Sequence, residues 1–197
     1  MCPPSLDHPA SPLGDDLPLK GLQVVELATV LAGPLVGTFL AELGADVLKI
    51  EPPGRGDVTR SWRLAGESQQ GPGAYYAAAN GPKRIVRLDL KSEEGQGALD
   101  QHLSGADILI QNARPSSLAG LGLDPDVLAA RHPRLVHVHL LGFLDHPTRG
   151  GYDIVVQAES GFLSMNGEPE GAPFRMPVAM MDVLAAHQMR SGLLLAL

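Results

Sequence analysis

The chain has 197 residues, a mass of 20.7 kDa, 44% hydrophobic and 19% charged residues, a formal net charge of −7 and a pI of about 5.4. That balance excludes bulk disorder, and a chain of this length buries roughly 70% of its unfolded surface. The acidic excess argues against a general nucleic-acid binder, whose footprint is a basic face, and no apolar run reaches the roughly 18 residues of a membrane span.

Residues 1–17 are Pro-rich and polar and read as a flexible leader, with order beginning near Leu19-Lys20-Gly21. Leu22–Leu27 reads as a strand. Pro34 suits the first turn of the helix that follows, where Leu35, Phe39, Leu40 and Leu43 recur at helical spacing and Gly44 is a stop. Asp46–Glu51 is a second strand, so the first unit has the size of a βαβ motif. A loop follows at 52–57, then an irregular stretch with a short helix near Ala74–Ala79. Arg84–Leu90 is a strand. Ser92 caps a helix that carries Glu93 and Glu94 in its first turn. Asp107–Gln111 is another strand. Asp124-Pro125-Asp126 starts a helix that Pro133 ends. Leu135–Leu140 is a strand with His137 and His139 on one face and Val136 and Val138 on the other. Tyr152–Met165 and Met180–Leu197 read as helices. Strands alternating with helices predict an α/β fold with a mostly parallel sheet.

Four features could carry chemistry. The helix start before Pro34 is an anion-site candidate, and Glu51 ends the next strand where dinucleotide-binding domains keep a ribose-binding acid; only Gly33 and Gly37 are present in place of G-x-G-x-x-G, so plain βαβ packing stands beside a nucleotide-type ligand. Arg55, Arg60 and Arg63, and Lys83, Arg84, Arg87 and Lys91, form basic groups that either neutralise phosphates or make a solvated face. Asp182, at the start of the last helix, is either a cap or a nucleophile, its ionised form favoured by the helix dipole. His137 and His139 share a face but have no further ligand at a recognised spacing, so no metal site is expected. Cys2 is the only cysteine, which leaves no internal disulfide, and Met1–His8 lacks the basic and apolar regions of a signal peptide. The expectation is a cytoplasmic protein with neither nucleic-acid nor membrane partners.

Several segments together are more specific. Leu19–Leu27, Ala32-Gly33-Pro34 and Leu43–Gly54 resemble the opening of the family III CoA-transferases, the CaiB/BaiF group that includes formyl-CoA transferase and α-methylacyl-CoA racemase. The likeness continues through Lys83-Arg84, Leu88–Lys91, Ala106–Pro115, Pro133–Val136, Gly142-Phe143, Gly151–Asp153, Gln157–Gly161 and Gly167–Pro169. It runs colinearly from about residue 18 to 197.

The resemblance implies a Rossmann-like sheet with flanking helices in residues 18–197, incomplete relative to the family because a smaller second domain is absent. It implies transfer of CoA from an acyl-CoA to a carboxylic acid, through an aspartyl mixed anhydride and an aspartyl-CoA thioester. Asp182 matches the nucleophilic aspartate. Val30, Leu31 and Ala32 match a first CoA-contacting segment, Leu88, Asp89 and Lys91 a second, Asn112 and Arg114 a third, and Tyr152 and Asp153 a fourth. CoA is a substrate here, and no permanently bound cofactor is implied. The family forms interlocked homodimers of chains about twice this length. A non-catalytic fragment that binds CoA, or a partner chain covering the apolar C-terminus, is therefore the alternative. A racemase is a weaker one, because the racemases carry a histidine where this chain has Tyr152, and a phenol with a reference pKa of about 10 is a poor base at neutral pH.

Overall fold

The computed structural model describes residues 17–68 and 70–197. The leader, apart from Leu17, and Cys2 lie outside the described residues. In chain order the elements are β1 (Gln23–Glu26), α1 (Ala32–Glu42), β2 (Asp46–Glu51), a 3-10 turn (Val58–Ser61), α2 (Ala74–Asn80), β3 (Arg84–Arg87), α3 (Glu93–Ser104), β4 (Ile108–Gln111) and α4 (Pro115–Leu118). A second 3-10 turn (Ala119–Leu121), α5 (Pro125–Arg131), β5 (Val136–His139), α6 (Asp153–Glu159), α7 (Phe162–Met165) and α8 (Met180–Ala196) complete them.

The strands form one sheet of order β3-β2-β1-β4-β5, with every pair parallel. This is the strand order of a Rossmann-type sheet, whose ligand crevice opens at the carboxyl ends of the strands where the order reverses, here between β1 and β4. The central strands are apolar on both faces, as parallel strands covered by helices must be. Val24, Val47, Ile108 and Ile110 pack with Val36 and Leu40 of α1 and Ala186 and Leu193 of α8. Val25, Leu48 and Leu109 face the other way, onto Leu99 and Leu103 of α3, Leu118 of α4 and Leu128 of α5.

The local signals act as expected. Ser92 Oγ accepts the Gly95 N–H, and Asp124 Oδ1 accepts those of Asp126 and Val127. Two predicted elements differ. The strand from Arg84 stops at Arg87: Leu88 N–H still reaches Glu51 O at 3.0 Å, but the partner strand then enters Pro52-Pro53, which has no N–H to continue the ladder. The helix predicted over Tyr152–Met165 breaks in two at Gly161, whose φ of 82° is left-handed. At its far end α8 buries Leu193 and leaves Leu194, Leu195 and Leu197 exposed.

A fully buried charge cluster lies where β1, β2, α1 and α2 meet. Glu26 stands opposite Lys49 in the sheet register and accepts from it at 2.9 Å. Lys83 reaches the same carboxylate at 2.8 Å and also donates to Pro34 O, Ala79 O and Asn80 Oδ1. Lys49 bridges onward to Asp57 at 3.1 Å and to Ala28 O at 2.6 Å. Two carboxylates thus balance two ammonium groups. Burial pushes Lys83 down to about 8, against the pull of Glu26.

Gly37 makes this cluster possible, because a Cβ on it would lie 1.8 Å from Glu26 Oε2. Gly33 and Gly37 therefore serve close packing against the end of β1, not a phosphate loop. Alanine at position 37 would gain about 1 kcal/mol in helix propensity. Overpacking against a carboxylate pinned by two lysines costs about 1–3 kcal/mol, and here more than a side-chain shift must give. We expect Gly37→Ala to destabilise the fold by about 1–2 kcal/mol net in a urea titration.

Candidate active site

A cleft of about 380 Å³ opens at the carboxyl ends of β1, β4 and β5. Its walls are the loop 29–31 with the start of α1, the segment 112–115 after β4, the loop from Leu140 to Tyr152, and the first turn of α8. Of the site residues named from sequence, Val30, Leu31, Ala32, Asn112, Arg114, Tyr152, Asp153 and Asp182 line this one cleft. Leu88, Asp89 and Lys91 do not. Leu88 packs against the core under the sheet, and Asp89 Oδ1 accepts the Lys91 N–H in the turn that leads into α3.

The loop after β1 is held from two sides. Asn112 accepts the Thr29 N–H at 3.1 Å and donates to Thr29 O at 3.0 Å, so one amide closes on the backbone of the opposite loop. Asp57 accepts the Val30 N–H at 3.3 Å while its other oxygen holds Thr59. Val30 has a φ of 73°, a left-handed conformation that strains a β-branched residue by about 1–3 kcal/mol. The same loop ends at Leu31, and no side chain caps α1 there. The free N–H groups of the first turn of α1 are therefore available to an anion in the cleft. Removing the clamp in Asn112→Ala leaves the Thr29 donor and acceptor unpaired, at about 1–3 kcal/mol.

Asp182 sits in the first turn of α8, half-buried, beside Met181 and Ala185 on the cleft wall. It does not cap its helix. That part is taken by Asp153 from α6, whose Oδ1 accepts the N–H groups of Met181 at 2.7 Å and Asp182 at 3.3 Å. The dipole argument predicts an Asp182 carboxylate stabilised in its ionised form, and the structure reverses this. Burial first, and then the neighbouring Asp153 charge, push it up to about 6.

The basic groups divide sharply. Arg60 is bound to Glu51 through both Nε and Nη2, at 2.7 and 3.0 Å, and Tyr76 OH donates to the same carboxylate at 2.7 Å. Burial would raise Glu51, but hydrogen bonds from Arg60 and Tyr76 outweigh it and hold the acid below its usual range. Glu51 is thus a buried structural anion and not a ribose ligand. Lys83 belongs to the buried cluster, Arg84 pairs with Asp46 at the surface, and Arg63 donates to Ser68 O and Gly71 O. Arg114 and Arg149 are the arginines on the cleft wall. His137 Nε2 lies 3.3 Å from Gln111 Nε2 and His139 Nε2 lies 2.9 Å from Ala113 O. Among the described residues no group of three or more His, Cys, Asp or Glu could hold a metal ion, and no helix is long and apolar enough to cross a membrane.

Several site features were not read from the sequence. Gly142 and Gly151 cross so closely that a Cβ on Gly151 would lie 2.2 Å from Gly142 Cα, which closes the loop between them beside the cleft. Arg149 on that loop pairs with Glu159 at 2.6 Å and stacks over Phe143 at 4.3 Å. The hydroxyl of Tyr75 on α2 is raised by burial and then by the charge of Asp182. The glycines on either side of 142–151 were the one available signal.

The family profile of CoA-transferase family III matches residues 19–197. The chain belongs to family III of the CoA-transferases. A succinate–glutarate CoA-transferase of Agrobacterium fabrum is 39% identical over 194 residues, covering 89% of this chain and 48% of the relative. An acetyl-CoA:oxalate CoA-transferase of Acetobacter aceti is 38% identical, covering 85% of this chain and 42% of the relative. The crystal structure of a CaiB/BaiF family protein from Brucella suis superposes with a TM-score of 0.79 at 37% identity, over 90% of this chain and 49% of that one. The chain spans about half the length of the family III relatives it matches.

Proposed function

We propose that this chain carries the CoA-binding and nucleophilic half of an acyl-CoA:carboxylate CoA-transferase, with Asp182 as the nucleophile. The observation that carries this reading is the meeting of Asp182 with the uncapped start of α1, Asn112 and Arg114 around one cleft. An acyl-CoA would place its thioester carbonyl at Asp182. The carboxylate attacks that carbon, the C–S bond breaks, and CoA leaves as thiolate with an aspartyl mixed anhydride behind it. The thiolate then attacks the aspartyl carbonyl, which releases the donor acid as carboxylate and leaves an aspartyl-CoA thioester. An acceptor carboxylate reverses the two steps, and Asp182 is regenerated. Protons balance throughout, because each step exchanges one anion for another.

Support for a small dicarboxylic acid as donor or acceptor comes from the names of the relatives, which include succinate and glutarate enzymes. Tyr152 stands exposed on the cleft wall where the racemases carry a histidine, and a phenol with a reference pKa of about 10 is a poor base at neutral pH, so acyl transfer is preferred to racemisation. Calorimetry of the chain with CoA tests the binding half. We expect saturable one-site binding, weakened in Asn112→Ala and retained in Asp182→Asn. Absence of binding to the folded chain contradicts the proposal.

A further inference from the structure

Asp153 matches a CoA-contacting position by resemblance, yet its carboxylate is already engaged by the protein. Oδ1 takes the N–H groups of Met181 and Asp182, and Oδ2 takes Gln157 Nε2 at 2.5 Å. Gln157 is fully buried, and its Oε1 accepts the Met176 N–H at 2.9 Å. One side-chain relay thus ties α6, the loop before α8 and the first turn of α8 together, and Asp182 rides on that turn.

We propose that Asp153 is a positioning residue, which anchors the amide end of α8 and holds a second negative charge beside the reactive carboxylate, and is not a CoA ligand. The proposal rests on the transferase reading for its catalytic meaning. Two carboxylates side by side disfavour double ionisation, so the one without compensating donors takes up its proton more readily. Asp153 has three N–H donors, whereas no hydrogen bond to the Asp182 carboxylate is found among the described residues. A more basic Asp182 is a stronger nucleophile and remains mostly ionised at neutral pH.

The other titratable and charged groups facing Asp182 are Tyr75 from α2 and, across the cleft, Tyr152, Arg114 and Arg149. The strand β5 meets α8 through Val136 and Val138, with the histidines on its opposite face. On its own helix, His187 and Arg190 lie further along, and Arg190 is turned to Leu35 O of α1.

The test is a carbon-13 titration of aspartate carboxyl groups in the full chain, with Asp182→Asn used to assign the signal. Wild-type Asp182 should titrate near pH 6. In Asp153→Asn, which keeps an oxygen acceptor for the Met181 N–H, the midpoint should fall by about one unit. Asp153→Ser carries the same test if the asparagine variant does not fold. A purely structural role would lower stability without moving the midpoint, and an unmoved midpoint overturns the proposal. So does a wild-type midpoint near 4, which needs no variant at all. The titration requires no turnover, so failure of the transferase reading would be seen separately, as loss of acylation with the midpoints unchanged. CoA affinity in Asp153→Asn should stay within about threefold of wild type, and a loss of tenfold or more with the fold intact makes Asp153 a ligand and overturns the proposal.

Discussion

Asp182→Asn is expected to abolish acyl transfer, by roughly 10³-fold or more, and at the same time to make the chain more stable at pH 7. The first effect follows from the chemistry, since an amide oxygen cannot displace CoA from a thioester. The second follows from linkage. The folded state raises Asp182 from its ordinary aspartate value to about 6, by burial and by the charge of Asp153. A carboxyl group raised on folding favours the fold while it is protonated. Its contribution is complete below about pH 3.9, the unfolded value, and is lost as pH rises through the folded value near 6. At pH 7 the wild type bears the whole penalty and asparagine bears none. Because Asp182 is partly open to solvent, screening reduces the effect to about 1–2 kcal/mol. Thermal denaturation of both proteins at pH 4 and pH 7 checks this: the gap should be small at pH 4 and widen by pH 7. A variant less stable than wild type at pH 7 would mean that Asp182 holds the fold together, not the chemistry.

The second large effect is expected at Glu26. Its carboxylate lies between the ammonium groups of Lys49 and Lys83, with no solvent to replace it. Glu26→Ala leaves two buried cations facing one remaining carboxylate, Asp57. Breaking a buried pair in this way costs about 3–5 kcal/mol, against a total stability of about 5–15 kcal/mol for an ordinary domain. The denaturation midpoint should drop steeply. The double variant Glu26→Leu/Lys83→Met removes charges of both signs and should recover part of the loss, which a simple cavity would not allow. The cluster also reaches the cleft, through Lys49 to Ala28 O and through Asp57 to the Val30 N–H. Any folded fraction of Glu26→Ala should therefore bind CoA more weakly. A loss below 1 kcal/mol would contradict the role given to the cluster.

What could be read from the sequence was local or colinear. Ser92 and Asp124 announce their helices because a cap and its N–H lie within three residues, and the consecutive apolar residues Val47-Leu48 of β2 and Ile108-Leu109-Ile110 of β4 mark strands covered on both faces. Val30–Ala32, Asn112, Arg114, Tyr152 and Asp182, which the resemblance singled out by comparing whole segments, line a single cleft. Partnerships across the fold were not legible. Lys83 and Arg60 look like surface cations until β1, β2 and α2 bring Glu26 and Glu51 to them. Asp153 looks like a ligand residue until α8, beginning 27 residues later, presents its amides. Leu88, Asp89 and Lys91 match the family yet stand outside the cleft, on the turn between β3 and α3. The break at Gly161 was missed because the apolar pattern continues through it, and only its left-handed backbone ends α6.

The central claim is that Asp182 forms a covalent bond to an acyl group. It is tested most directly by intact-mass spectrometry of the chain after incubation with succinyl-CoA and glutaryl-CoA, with hydroxylamine added to trap the activated aspartyl group. The account predicts an adduct of the acyl or CoA mass on wild type, its conversion to a hydroxamate at Asp182, and neither in Asp182→Asn. An adduct of the same mass that persists in Asp182→Asn, or a folded chain that binds CoA and never acquires one, would contradict it.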